Sequence, residues 1–259
     1  MLLQDKVIVI TGSTRGIGKG IALKVAEEGG IPVVSGSNKD LLEKLPKEFA
    51  DLGYKDSLFV YCDVTNEQDV QNLMKAAFDK YGRIDGMVAN AGITDMCGFE
   101  EMTPERWDKM ISINLRGVYL ADWAVFPYFK KAGGGKILNI GSDCSLEGWA
   151  FLSSYSAAKF GVRGLTQALA KELGKYHITV NCICPGIIDT DMWIKTDEML
   201  GKISGKKKGE EWGAAVSRIP LGRGGLPEDL GNGVVMMLSK YADYISGCAL
   251  PVGGGSMVH

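Results

Sequence analysis

The 259-residue sequence has only two histidines, His177 and His259, so a zinc site built on imidazole has almost no ligands to draw on. No stretch approaches the roughly 20 uninterrupted apolar residues of a membrane span. Charge of one sign is not in excess. Lys and Arg total 29 against 31 Asp and Glu, a formal charge of −2, which gives no global attraction to nucleic acid or an anionic membrane. The only dense basic run, Lys206-Lys207-Lys208, lies among Gly and Glu without the interleaved aromatics of a nucleic-acid stacking surface. The first residues lack the basic start and cleavage site of a signal peptide. The six cysteines (Cys62, Cys97, Cys144, Cys182, Cys184 and Cys248) are scattered and form no disulfide framework, as expected of reduced, mostly buried thiols in a cytoplasmic protein. Cys182 and Cys184 would share one face of a strand. No Pro-, Ser- or charge-rich linker divides the chain, and no repeat is visible.

What is present is ordinary globular composition, 46% apolar and 23% charged, arranged in alternating strand and helix patterns. Apolar runs predict strands at 7–10, 33–35, 57–61, 86–89, 136–140, 178–183 and 249–252. Helical patterns lie between them, at about 40–52, 65–81, 104–111, 115–131, 153–176 and 228–238. Each connection is long enough for a crossover, which predicts one α/β domain with a doubly wound, parallel, seven-stranded sheet. Residues 189–223 break the alternation. They follow the sixth strand, where ligands bind in such sheets, and read either as a lid or as a packing or subunit-contact element.

Two local patterns carry chemistry. Between the first strand and first helix lies Thr11-Gly12-Ser13-Thr14-Arg15-Gly16-Ile17-Gly18. Its glycines permit a tight turn and close backbone approach, and the following helix offers free N–H groups to a phosphate. Tyr155 and Lys159, four apart on a helix, lie one above the other. An ammonium about 5 Å from the phenol would favour the phenolate by roughly 3 kcal/mol at an effective dielectric of about 20. Such a tyrosine exchanges protons near neutral pH. Taken alone, the pair also suits an ordinary exposed helix face.

Taken together, Thr11-Gly12-x-x-x-Gly16-x-Gly18, Asp63-Val64, Asn90-Ala91-Gly92, Asn114, Ser142, Tyr155-x-x-x-Lys159 and Pro185-Gly186-x-x-x-Thr190 resemble the short-chain dehydrogenase/reductase family along essentially the whole chain. The resemblance implies a Rossmann fold and hydride transfer with a nicotinamide cofactor. It implies that Tyr155 exchanges the proton, Ser142 holds the substrate oxygen, Lys159 lowers the tyrosine pKa and binds ribose, and Asn114 supports Lys159 through water. Cofactor contacts are expected from Gly12, Ser13, Thr14, Arg15, Gly16, Ile17 and Gly18, from Asp63 and Val64 at adenine, from Asn90, Ala91 and Gly92, and from Pro185, Gly186, Ile188 and Thr190.

The second strand ends at Gly36, where NAD-dependent relatives carry an acidic residue. With Arg15, Ser37, Asn38 and Lys39 nearby, NADP(H) is the expected cofactor and NAD(H) the alternative. Substrate contacts are expected from Ser142, Asp143, Cys144, Glu147, Trp149, Tyr155, Met192 and Trp193. Segments 160–167 and 178–193 are most similar to the acetoin reductase/2,3-butanediol and polyol dehydrogenase branches, which implies a small hydroxyl-bearing substrate. Asp143 and Glu147 suit hydroxyl or ammonium groups if they face the cleft. The family's C-terminal Val-Asp-Gly-Gly is here Val252-Gly253-Gly254-Gly255, and Gly141 replaces a serine before Ser142. Relatives are commonly tetramers, and Leu165, Ala168 and Leu169 suit either that interface or the core. Reduction of 3-oxoacyl thioesters, with Lys206 to Lys208 at a basic entrance, is the competing enzymatic reading. A nucleotide-binding regulator is the non-enzymatic one.

Overall fold

The computed structural model describes residues 1–257. In chain order the main elements are β1 (Val7–Ile10), α1 (Gly16–Glu27), β2 (Ile31–Gly36), α2 (Lys39–Asp51), β3 (Leu58–Tyr61), α3 (Glu67–Tyr81), β4 (Gly86–Ala89), α4 (Pro104–Ile111), α5 (Gly117–Ala132), β5 (Gly135–Ile140), α6 (Ser153–Leu173), β6 (Ile178–Pro185), α7 (Asp191–Ser204), α8 (Glu210–Val216), α9 (Pro227–Leu238) and β7 (Ala249–Val252). The strands form one sheet in the order β3-β2-β1-β4-β5-β6-β7, every pair parallel.

The continuous apolar strands are explained by burial on both faces. Val7 and Val9 of β1 belong to the core shared with α3, α5 and α6, whereas Ile8 and Ile10 belong to the core shared with α1, α2 and α9. Successive strand side chains point to opposite faces, so a strand covered on both sides has no polar face. Strand order reverses between β1 and β4, and the crevice at their carboxyl ends is the switch point of a doubly wound sheet.

Two segments differ from the sequence expectation. The break predicted between the helices at 111 and 115 is instead a π-helical turn, Ser112–Arg116, that joins α4 to α5. Residues 189–223, which break the strand–helix alternation, contain two helices, α7 and α8. Buried Asp197 on α7 accepts hydrogen bonds from the backbone N–H of Gly209 (2.6 Å) and Trp212 (2.8 Å), and the Trp193 and Trp212 rings meet edge to face with centroids 5.6 Å apart. Among the described residues no helix is long and apolar enough to cross a membrane.

One buried polar cluster ties α5, β5 and α6 together beneath the crevice. Asn139 donates to Asp122 Oδ2 and to Thr166 Oγ1, both at 3.1 Å, while Asp122 Oδ1 and Asn139 Oδ1 have no partner. Burial pushes the Asp122 carboxyl up to about 8. The folded protein therefore holds a proton that the unfolded chain releases from about pH 4 upward, so this group lowers stability as pH rises from about 4 to 8. Asp122→Asn supplies a donor and removes the charge. It is expected to raise the unfolding free energy from urea titration at pH 8 by on the order of 1–3 kcal/mol, with the gain fading towards pH 4.

Candidate active site

The glycine-rich turn after β1 is built for close approach. Gly12 has φ +61°, and a Cβ there would lie 2.6 Å from Ala91 Cα. A Cβ on Gly18 would lie 2.3 Å from the Gly12 oxygen, so both positions require glycine. Asn90, at the end of β4, donates to the oxygens of Thr11 and Gly12 at 2.9 Å, and so holds the turn's shape. The N-terminus of α1 opens onto the same space with no side chain capping its N–H groups.

At the carboxyl ends of β5 and β6 the chemistry-bearing residues converge. Ser142 follows β5 in an extended conformation, and its hydroxyl donates to Asp143 Oδ1 at 2.6 Å and accepts from the Cys144 N–H at 3.2 Å. Tyr155 lies one turn before Lys159 on α6, with the Lys159 Nζ 5.7 Å from the tyrosine ring centroid. Nζ donates to the Ile140 carbonyl at 2.8 Å. The π-helical turn places Asn114 inside the site, where its oxygen accepts from Ile93 N–H at 3.1 Å and its amide donates to the Met110 oxygen at 3.2 Å. A Cβ on Gly92 would lie 2.7 Å from Asn114 Oδ1 and 3.8 Å from Lys159 Nζ, so only glycine lets these two side chains face each other.

The electrostatics differ from the expectation that Lys159 lowers the tyrosine pKa. Burial pushes the Tyr155 phenol up, and only Ser142 opposes it by hydrogen bonding. Tyr155 is nonetheless only half-buried and lines the cavity, which moderates the shift. Burial pushes Lys159 down to about 8, and among the described residues no carboxylate pairs with its ammonium. Asp143 is raised by burial and held back by the hydroxyl and N–H groups that it accepts.

A cavity of about 630 Å³ joins these parts. Of the predicted residues, Gly12, Arg15, Gly16, Ile17, Gly18, Asn90, Gly92, Asn114, Ser142, Asp143, Cys144, Trp149, Tyr155, Lys159, Pro185, Gly186, Ile188, Thr190, Met192 and Trp193 line it. Glu147 does not, and it is exposed, so of the two predicted carboxylates only Asp143 reaches the cavity, which Asp191 and Glu211 also line. Ser13 is wholly buried, its hydroxyl donating to the Ile10 oxygen and its N–H to the Ser35 oxygen. Thr14, Ser37, Asn38, Lys39, Asp63 and Val64 lie outside the cavity, towards β2 and β3, and Ala91, after β4, packs against Gly12 without lining it. Asn38 caps α2 at Leu41 N–H, and Asp63 Oδ1 accepts from the Thr65 N–H and hydroxyl. Residues without a sequence signal also line it, among them Met96, Lys109, Leu152, Asp191, Lys195, Leu200, Glu211, Arg218 and Met257. Their place depends on long-range packing alone.

Lys159 is protonated in both folded and unfolded chains below about pH 8. Above that the folded chain releases its proton first, so the stability cost of burying the charge fades between about 8 and 10.5. Lys159→Met is therefore expected to melt higher than the wild type at pH 7, with the difference shrinking towards pH 10, while catalytic activity is lost. Calorimetry over that pH series checks it.

Comparison with known proteins follows the same outline. The family described as short chain dehydrogenase matches residues 6–201. The chain is 36% identical over 258 residues to 3-oxoacyl-[acyl-carrier-protein] reductase FabG of Thermotoga maritima, covering 100% of both chains. It is 36% identical to L-2,3-butanediol dehydrogenase of Corynebacterium glutamicum, covering 98% of this chain and 99% of the relative. The crystal structure of a variant actinorhodin polyketide ketoreductase with NADPH superposes with TM-score 0.93 at 31% identity, covering 97% of each chain. With the fold, the glycine turn and the Ser–Tyr–Lys arrangement all in the same order, the chain belongs to the short-chain dehydrogenase family of oxidoreductases.

Proposed function

We propose that the chain moves a hydride between a nicotinamide dinucleotide and the secondary alcohol or ketone of a small hydroxyl-bearing molecule, such as a diol, polyol, sugar or hydroxyketone. The observation that carries this reading is the meeting of Ser142, Tyr155 and Lys159 on one cavity wall, beside the glycine turn at the switch point. The bare cradle at Gly12 and Gly18 and the uncapped start of α1 fit a pyrophosphate. When bound, the nicotinamide supplies or accepts the hydride.

The chain's own residues manage the oxygen. Ser142 holds the carbonyl oxygen by a hydrogen bond. Tyr155, kept protonated by burial, gives its proton as that oxygen gains charge, and takes it back when an alcohol is oxidised. Lys159, held by the Ile140 carbonyl, orients the tyrosine end of α6 and offers its remaining N–H groups to ribose hydroxyls. Asn114, facing Lys159 across Gly92, supports it through water.

NADP(H) is favoured over NAD(H). β2 ends at Gly36 without a carboxylate, and its Cβ direction is filled by Thr14, while Ser37 and Lys39 stand at the start of α2. The solved ketoreductase with NADPH supports the same choice. A homotetramer in the cytoplasm completes the reading, supported by six free thiols and the exposed Ala168 on α6.

Reduction of a 3-oxoacyl thioester is the second reading. The FabG relative favours it, as do Lys195 and Arg218 at the cavity. Lys206 and Lys208, however, are paired with Glu211 and Glu198, which reduces their pull on an anionic carrier arm.

Oxidation of NADPH and NADH by the purified protein, over a panel of acetoin, ketoses, diketones and 3-oxoacyl thioesters, tests these readings. The highest kcat/KM is expected for a small hydroxyketone with NADPH. Tyr155→Phe is expected to lose about 10²–10⁴-fold in kcat, and a variant that keeps most of its rate would overturn the role given to Tyr155. Tighter binding of NADH than NADPH in a fluorescence titration would overturn the cofactor assignment.

A further inference from the structure

Asp143 is a carboxylate on a catalytic wall with no cation beside it. It lines the cavity and is only half-buried, and the one charged group close enough to act on its titration is the like-charged Glu147. Its Oδ1 is fully engaged, accepting the Ser142 hydroxyl at 2.6 Å and the Cys144 N–H at 2.7 Å. Oδ2 has no hydrogen-bond partner among the described residues. A carboxylate oxygen left without a donor beside a pocket is costly when substrate displaces water, unless the substrate brings a donor of its own.

The position of that donor follows from Ser142. The Ser142 hydroxyl is the group that holds the reacting oxygen, and Asp143 Oδ1 lies 2.6 Å from it. That separation is comparable to the distance between two oxygens carried on adjacent carbons, so a substrate oxygen beside Ser142 brings a neighbouring hydroxyl within reach of Asp143. Trp149, Leu152 and Met192 beside it carry no charge, and the cavity's other two carboxylates are already engaged, Asp191 with Arg15 at 3.9 Å and Glu211 with Lys206 and the Ser204 hydroxyl. We propose that Asp143 is the residue that selects substrates carrying a hydroxyl on the carbon next to the reacting one, that is, α-hydroxyketones and vicinal diols.

The contact has a second consequence. Without such a substrate the Ser142 proton is spent on Asp143. Ser142 can donate to a carbonyl oxygen only after it turns from Asp143, which then needs another donor. The substrate hydroxyl provides it, so the vicinal hydroxyl both binds and releases the serine. A plain ketone leaves the carboxylate short of a donor at the moment Ser142 turns. Discrimination should therefore fall on kcat as well as KM.

This inference rests on the proposed reading of a small carbonyl substrate. The test measures kcat and KM for 3-hydroxy-2-butanone and 2-butanone with NADPH, using the wild type, Asp143→Ala and the near-isosteric Asp143→Asn. The wild type is expected to favour the hydroxyketone by at least about tenfold in kcat/KM. That preference is expected to collapse in Asp143→Ala and to survive in part in Asp143→Asn, which keeps an acceptor oxygen; urea midpoints establish that both variants are folded. Equal losses on both ketones, with the preference unchanged, would make Asp143 merely structural and overturn the proposal. Equal wild-type activity on the two ketones overturns this inference alone. A wild type that reduces neither, but reduces another class of carbonyl, overturns the reading on which it rests.

Discussion

A lysine ammonium buried without a carboxylate is the constraint around which the site is arranged. Lys159 is 3% exposed and its nearest fixed partner is a backbone carbonyl, that of Ile140 at the end of β5. Taking a charge from water into such surroundings is expensive, and a neutralising acid would normally stand beside it. Here the surroundings are instead carbonyl dipole, the face of Tyr155, and the amide of Asn114 across Gly92. The cost appears as the fall of its pKa to about 8. An ammonium so weakly neutralised retains donors for a ligand, which is what the role proposed for Lys159 requires.

That constraint explains several features elsewhere. Gly92 must lack a side chain, because the Asn114 side-chain oxygen occupies the space a Cβ would need. Asn114 reaches the site because the α4–α5 junction is π-helical, which widens one turn of an otherwise continuous helix. The sheet supplies the rest. Ser142 follows β5, Pro185 ends β6, and Asn90 follows β4, so three adjacent parallel strands deliver their residues to one edge. Stability and function pull in opposite directions here, since the charge that serves the site weakens the fold that holds it.

Much of the fold was legible because the signals are local. Buried strands such as Val7–Ile10 and Gly86–Ala89 read as short apolar runs, and the glycine turn falls where β1 gives way to α1. The helices of residues 191–216 were not legible. Trp193 and Trp212 pack on each other, and Asp197 closes the α7–α8 junction, contacts between residues 12 to 19 apart that no single helical stripe displays. Glu147 and Asp143 are four residues apart and chemically alike, yet one is exposed and the other faces the cavity, because a short 3₁₀ turn at 143–145 separates their directions.

The sequence by itself determined the parallel αβ order, the glycine turn and the residue types for proton transfer, because each depends on spacing within a few residues. Tertiary structure decided which groups are charged and which are free. Burial sets the direction of the Tyr155 and Lys159 shifts, Asn90 is spent on holding the Gly12 turn, and Ser142 has its proton committed to Asp143. Desolvation and hydrogen-bond partnership depend on neighbours brought from distant parts of the chain, which no local pattern encodes.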